Sequence, residues 1–307
     1  MRTWVVSLSL LTAVGFQTAN PPPRVEGYPG FGEPPVITLL SAGAAPRSTL
    51  RYVIAPKSKV QLTMSVDVSM SMSMDSGAAM PAMDMPQMTM DADFEVTDVA
   101  ANGDISYTFA FTRMTVDTAD PNMQTVFGAM ANDIKNVRGT AVVSNRGVAR
   151  SMKLNTEKVA NPQLQQTLSS TMSSIENLSM PLPEEAVGAG ARWEVRHSLS
   201  AGGMFQVQKG TYELVSADGK AASLKVATEQ SAPPQVIAPP GLPPGAQVSL
   251  QKLTGQGHGT VQLQLDTLVP TSQMTQQSNT AMQMAISGMT QVVNTDTTVK
   301  VAIGPRK

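Results

Sequence analysis

From Leu62 to Asp75 the chain alternates without a break. Leu62, Met64, Val66, Val68, Met70, Met72 and Met74 are apolar, while Thr63, Ser65, Asp67, Ser69, Ser71, Ser73 and Asp75 are polar. Period-two patterning is that of a β-strand with one dry and one wet face. At roughly 3.3 Å per residue the strand is about 40 Å long, far beyond the usual five or six residues. A strand of this length requires a large, curved antiparallel sheet. Its dry face is built mainly of methionine rather than of Leu, Ile or Val.

The neighbouring segments repeat the pattern. Met88, Met90, Ala92, Phe94 and Val96 alternate with polar residues, and Asn102–Gly103 supplies a hairpin turn. Ile105, Tyr107, Phe109 and Phe111 then continue the alternation, which predicts a meander of three long strands. A helix over 121–137 follows. Asp120 stands at its cap and Pro121 at its first position, and Met123, Val126, Phe127, Met130, Ala131, Ile134 and Val137 share one face. A second helix is expected after Asn161–Pro162, with Leu164, Leu168, Met172 and Ile175 as its stripe. Strands resume at about 191–199, 204–216, 221–229, 260–266, 270–286 and 290–303. The expected fold class is α+β: a large curved antiparallel sheet, a half-open barrel, covered on one face by two helices.

Arg2, the apolar run from Trp4 to Val14 and the small residues after it form a secretory signal pattern. Ala13–Val14–Gly15 and Thr18–Ala19 are both processing candidates, and an uncleaved anchor is the alternative. The division that follows is a signal peptide at 1–19, a Pro/Gly-rich leader at 20–35 and a single β-rich domain at 36–307. A Pro-rich insertion at 232–245 interrupts that domain. No later apolar run is long enough to cross a bilayer as a helix. The expected location is exported, periplasmic or extracellular, with peripheral association with the envelope as the membrane contact.

Charge and composition remove several function classes. Net charge is −1 and only 4% of residues are aromatic, so no basic, stacking surface for nucleic acid is present. Cysteine is absent and histidine is limited to His197 and His258, which leaves no disulfide, thiolate nucleophile or Cys/His metal site. Gly255–Gln256–Gly257–His258–Gly259 neither follows a clear strand nor opens a helix, and reads as a flexible or bulged lead-in to the strand at 260–266. Nothing gathers a nucleophile, base and electrophile, so an enzyme is not expected.

Three features together resemble a known group. These are Leu50–Arg51–Tyr52 before a Met/Ser/Asp strand, the Leu182–Pro183…Val187–Gly188…Trp193 passage, and a terminal run rich in Thr, Met and Gln. In that order the chain resembles uncharacterised exported bacterial proteins related in fold to the periplasmic lipoprotein carriers LolA and LolB. The resemblance implies a half-open barrel whose apolar cavity is plugged by helices. The lipid-bearing cysteine of the outer-membrane receptor is missing here.

The expected function is therefore non-enzymatic binding of an apolar ligand (a lipid, an acyl chain or a lipoprotein segment) in a methionine-rich sheet cavity. Its lining would be Met64, Val66, Val68, Met70, Met72, Met90, Phe94, Phe109, Phe127 and Met130, with the helix as plug. Two alternatives stand beside it. Met80, Met83 and Met85, in a loop without periodic support for burial, offer soft thioethers to Cu(I). Alternatively, the sheet is filled by its own helices and serves assembly, with no small ligand and no cofactor.

Overall fold

The computed structural model describes residues 24–75, 80–157, 159, 179–201, 204–237, 247–286 and 289–306. Its strands are β1 (Val36–Ser41), β2 (Lys59–Met74), β3 (Met83–Asp84), β4 (Met88–Val99), β5 (Ile105–Val116), β6 (Arg138–Val143) and β7 (Ala149–Asn155). After the helix α1 (Pro121–Ile134), which precedes β6, the second half adds β8 (Arg192–Ala201), β9 (Met204–Ala217), β10 (Ala221–Ala232), β11 (Gln235–Ile237), β12 (Gln247–Gln264), β13 (Thr271–Ile286) and β14 (Met289–Pro305).

All fourteen strands belong to one sheet, twelve of them in the order β1-β8-β9-β10-β12-β13-β14-β2-β4-β5-β6-β7, with β3 paired to β2 and β11 to β12 off that path. Two sequential meanders are spliced where β14 pairs antiparallel with β2. The expected meander of β2, β4 and β5 is present, with Gly103 at φ +85° in its hairpin. The edge strands β1 and β7 do not pair with each other, so the sheet is not closed.

The core lies where the two meanders face each other. Trp193 is fully buried and stacks on Tyr212 at 5.7 Å, while Phe94, Tyr107 and Phe109 form a second aromatic group. Leu182, Leu214, Leu224 and Leu263 pack among them. Each such side chain contributes about 1.5–3 kcal/mol by leaving water. Two connecting segments, around Tyr52 and Leu182, are tied by their backbones to the turns that follow β6 and β12. Tyr52 N–H donates to Asn145 O (2.8 Å), Val53 N–H to Leu265 O (2.7 Å), and Leu182 N–H to Arg146 O (2.8 Å). The Trp193 indole donates to Pro181 O at 3.1 Å.

The helix starts where expected, with Met123 N–H on the Asp120 carboxylate at 3.4 Å, and ends at Ile134, short of the expected 137. Its position differs from expectation. Phe127, Met130 and Ala131 pack with Ile134 against Met88, Met90, Met114 and Val116, at the end of β4 and β5, rather than over Val68, Met70 and Met72. The reason is chain length: only four residues separate β5 from α1, so the helix folds back on its own meander. It is the one helix among the described residues; the second expected helix lies outside them, as do residues 238–246 of the Pro-rich insertion. No described helix is long and apolar enough to cross a membrane.

Residues 27–31 of the expected leader are docked on β8 and β9. Ser198 Oγ donates to Pro29 O (2.6 Å), Arg196 donates to Gly27 O (3.1 Å), and Phe31 meets Phe205 edge-on at 6.4 Å.

Candidate functional site

Register determines which residues share the methionine face. Met64, Val66, Val68, Met70, Met72 and Met74 of β2 stand opposite Ile303, Val301, Val299, Thr297, Thr295 and Val293 of β14. On β13 the same face carries Met274, Gln276, Ser278, Thr280 and Met282. No charged residue falls on this face of the three strands. Their charges lie on the other side, where Asp67 stands opposite Lys300. The result is an uncharged strip about 40 Å long and roughly 10–15 Å wide.

Burial along the strip separates two kinds of apolar surface. Leu62, at the core end of β2, is 6% exposed, whereas Met64 through Met74 are all half-buried. Among methionines whose burial is described, only Met114 and Met180 are fully buried. Apart from those two, the closed core is Leu, Val, Ile, Ala, Phe, Tyr and Trp, and the other described methionines lie at its half-buried or exposed margins.

The ten residues expected to line one cavity are thus divided among three places. Phe94 and Phe109 are 4% and 2% exposed within the closed core, where the Phe109 ring covers Gly139 of the neighbouring strand. Met90, Phe127 and Met130 belong to the helix cluster. Met64, Val66, Val68, Met70 and Met72 form the open strip. Met64 links the strip to the helix cluster through its cross-strand partner Met90, which in turn faces Met114.

Four described cavities border none of Met64, Val66, Val68, Met72, Met90, Phe127 and Met130. Three of them, of about 500, 690 and 350 Å³, are troughs across the polar face. In the 690 Å³ trough, pairs such as Thr254/Gln256 and Ser69/Ser71 make the walls, while Gly255 and Met70 between them supply only backbone floor. None of these four cavities encloses the methionine surface, whose β2 residues from Met64 to Met74 are half-buried.

The remaining chemistry is structural in form. Gly255, Gly257 and Gly259 lie inside β12 without a bulge there, contrary to the expected irregular lead-in. Space for a Cβ at Gly257 is taken by Gln276 and Thr228, and at Gly259 by the backbone oxygen of Gln273 and by Met274, so a side chain at Gly259 would meet backbone that cannot yield. His258 is exposed on the polar face. His197 bonds Gln208 at 2.8 Å through Nε2, and burial pushes its pKa below the ordinary value against the effect of that bond. Its neighbours Gln206 and Gln230 bond each other and carry no titratable group.

The expected methionine loop is partly sheet. β3 pairs with β2 so that Met83 is directly opposite Met70. Met80 N–H donates to Met72 O and Met85 N–H to Val68 O, both at 2.8 Å. Sequence reasoning could not find this pairing, because Pro81 and Pro86 disguise the segment as a loop. It also missed Thr297 and Val299 as the partners of Met70 and Val68, since those pairings join residues more than two hundred positions apart.

No protein-family model matches the chain, and no curated protein matches it. Solved structures that align with it include a triple mutant of the Rhodopseudomonas blastica porin, at 8% identity over 79% of this chain and 100% of that one, with a TM-score of 0.20. Another variant of that porin aligns at 6% identity over the same shares, with a TM-score of 0.18. Likenesses of this size carry no argument about fold or function.

Proposed function

We propose that the protein is a non-enzymatic, exported binding protein. Its uncharged methionine strip on β13, β14 and β2 would hold an apolar ligand, either an acyl chain or an apolar segment of a lipoprotein. The observation that carries this reading is the segregation of methionine from the core. Leu, Val, Ile and Phe specify a dense interior, whereas flexible thioethers repack around variable apolar partners at low cost. Half-exposed methionine on a strip without charge suits a ligand whose length and shape vary. The resemblance to lipoprotein carriers belongs to the same proposal, with one amendment: the ligand would lie along an open face instead of in a plugged barrel. Native mass spectrometry of the protein purified from its own host tests the reading. A co-purifying lipid mass, or uptake of added fatty acid, is expected. A protein that stays ligand-free under both conditions contradicts it and favours the assembly alternative.

A further inference from the structure

We propose that Met70 and Met83, with the neighbouring Met72 and Met80, form a site for a soft monovalent metal ion, Cu(I), for which Ag(I) is the laboratory probe. Cross-strand partners in an antiparallel ladder project from the same face with Cβ atoms about 4.5–5.5 Å apart. Met70 and Met83 are such a pair. Met80 N–H donates to Met72 O at 2.8 Å, so the backbone before Met83 stays against β2 as far as Met80. Each thioether ends a chain with three rotatable bonds, so two or three sulfurs can converge on one ion without moving the backbone. The site is also open to solvent: Met80 is 39% and Met83 48% exposed, and Met70 and Met72 are half-buried.

Donor chemistry decides the metal. Thioether sulfur is a soft ligand that selects Cu(I), whereas zinc, iron and manganese need imidazole, thiolate or carboxylate. The chain has no cysteine, and no group of three or more His, Cys, Asp or Glu able to hold a metal occurs among the described residues. Asp84 stands opposite Ser69, one position out of phase with Met83, and so projects from the other face. A hard cation therefore finds little here, and a soft one finds sulfur from both strands. The ligand set differs from a loop triad of Met80, Met83 and Met85 in making the strand residue Met70 a primary donor. Met85, whose N–H bonds Val68 O, is in phase with Met83 and adds a further sulfur on the same face.

Anaerobic titration of Cu(I) against a chromogenic Cu(I) chelator, with native mass spectrometry of the Ag(I) form for stoichiometry, tests the site. One ion per chain is expected. The double variant Met70→Leu/Met83→Leu should weaken retention at least thirtyfold, while Met274→Leu on the same face of β13 should stay within twofold of wild type. The single variant Met83→Leu, on β3 and outside the strip of β13, β14 and β2, should also weaken Cu(I) retention, while its binding of a neutral acyl probe stays within twofold of wild type. Loss of the ion with retention of the probe separates this site from the lipid-binding reading, on which it does not depend. Wild-type protein that yields all Cu(I) to the chelator, or a double variant that holds it within twofold of wild type, overturns the proposal.

Discussion

Met83 stands directly opposite Met70 across the two-residue ladder that joins β3 to β2. The pairing extends the sheet past the end of β4, whose last described partner on β2 is Val66 opposite Met88. A segment punctuated by prolines thereby lies along a long strand and adds thioethers to an already methionine-rich face.

Exposure of that face sets an order of oxidation. Under mild peroxide, Met80 and Met83 should form sulfoxide first, the half-buried Met70 and Met72 next, and Met114 and Met180, 6% and 5% exposed, last. Peptide mass spectrometry over a time course reads this directly. Oxidation of Met114 and Met180 as early as Met83 would show that the core and the margin are not distinct.

Gly139 has no room for a side chain, because the Phe109 ring fills the place of its Cβ. The aromatic ring covers the bare backbone of its cross-strand partner and joins β5 to β6. Gly139→Ala should cost about 1–3 kcal/mol, as overpacking of a close-packed core does. A shift of the urea midpoint at unchanged m-value checks it. Stability equal to wild type would mean that the ring moves away freely.

Asp91 is 3% exposed, yet it stays ionised. Burial opposes the charge, but hydrogen bonds from Thr63 Oγ1 (2.7 Å) and Arg113 Nε (2.8 Å), with the charges of Arg113 and Arg306, outweigh it and lower the pKa. A carboxyl whose pKa falls on folding stabilises the protein above its unfolded pKa, about 3.9. That stabilisation is lost as pH falls through the lower folded value. Asp91→Asn should therefore cost about 1–3 kcal/mol at neutral pH. The gap from wild type should narrow below about pH 4. Denaturant titrations at several pH values give the comparison, and a gap that widens in acid would refute the assigned role.

Much of the sheet is legible in the chain because alternation is local. The run 62–75 does form the long strand, and Asp120–Pro121 does start the helix. Burial was less legible. Ser65 and Ser69 are as half-buried as Met64 and Met70, since a face is dry only where something distant covers it. Leu50, Tyr52 and Ile54 alternate like a strand and are buried, but they form a strap whose backbone is bound by Asn145 and Leu265. The glycines at 255, 257 and 259 read as a break because Gln276, Thr228 and Met274, which fill the space beside them, lie elsewhere in the chain.

Binding of a neutral fluorescent acyl probe to face-specific variants tests the proposed function most directly. Met70→Asn/Met72→Asn places two uncharged polar groups on the methionine strip, and Ser69→Asn/Ser71→Asn places the same groups on the opposite face of the same strand. With both variants folded by circular dichroism, the first should bind the probe at least tenfold more weakly than wild type and the second within twofold. Equal losses from the two faces, or no probe binding by folded wild-type protein, would contradict a methionine face that holds apolar ligands.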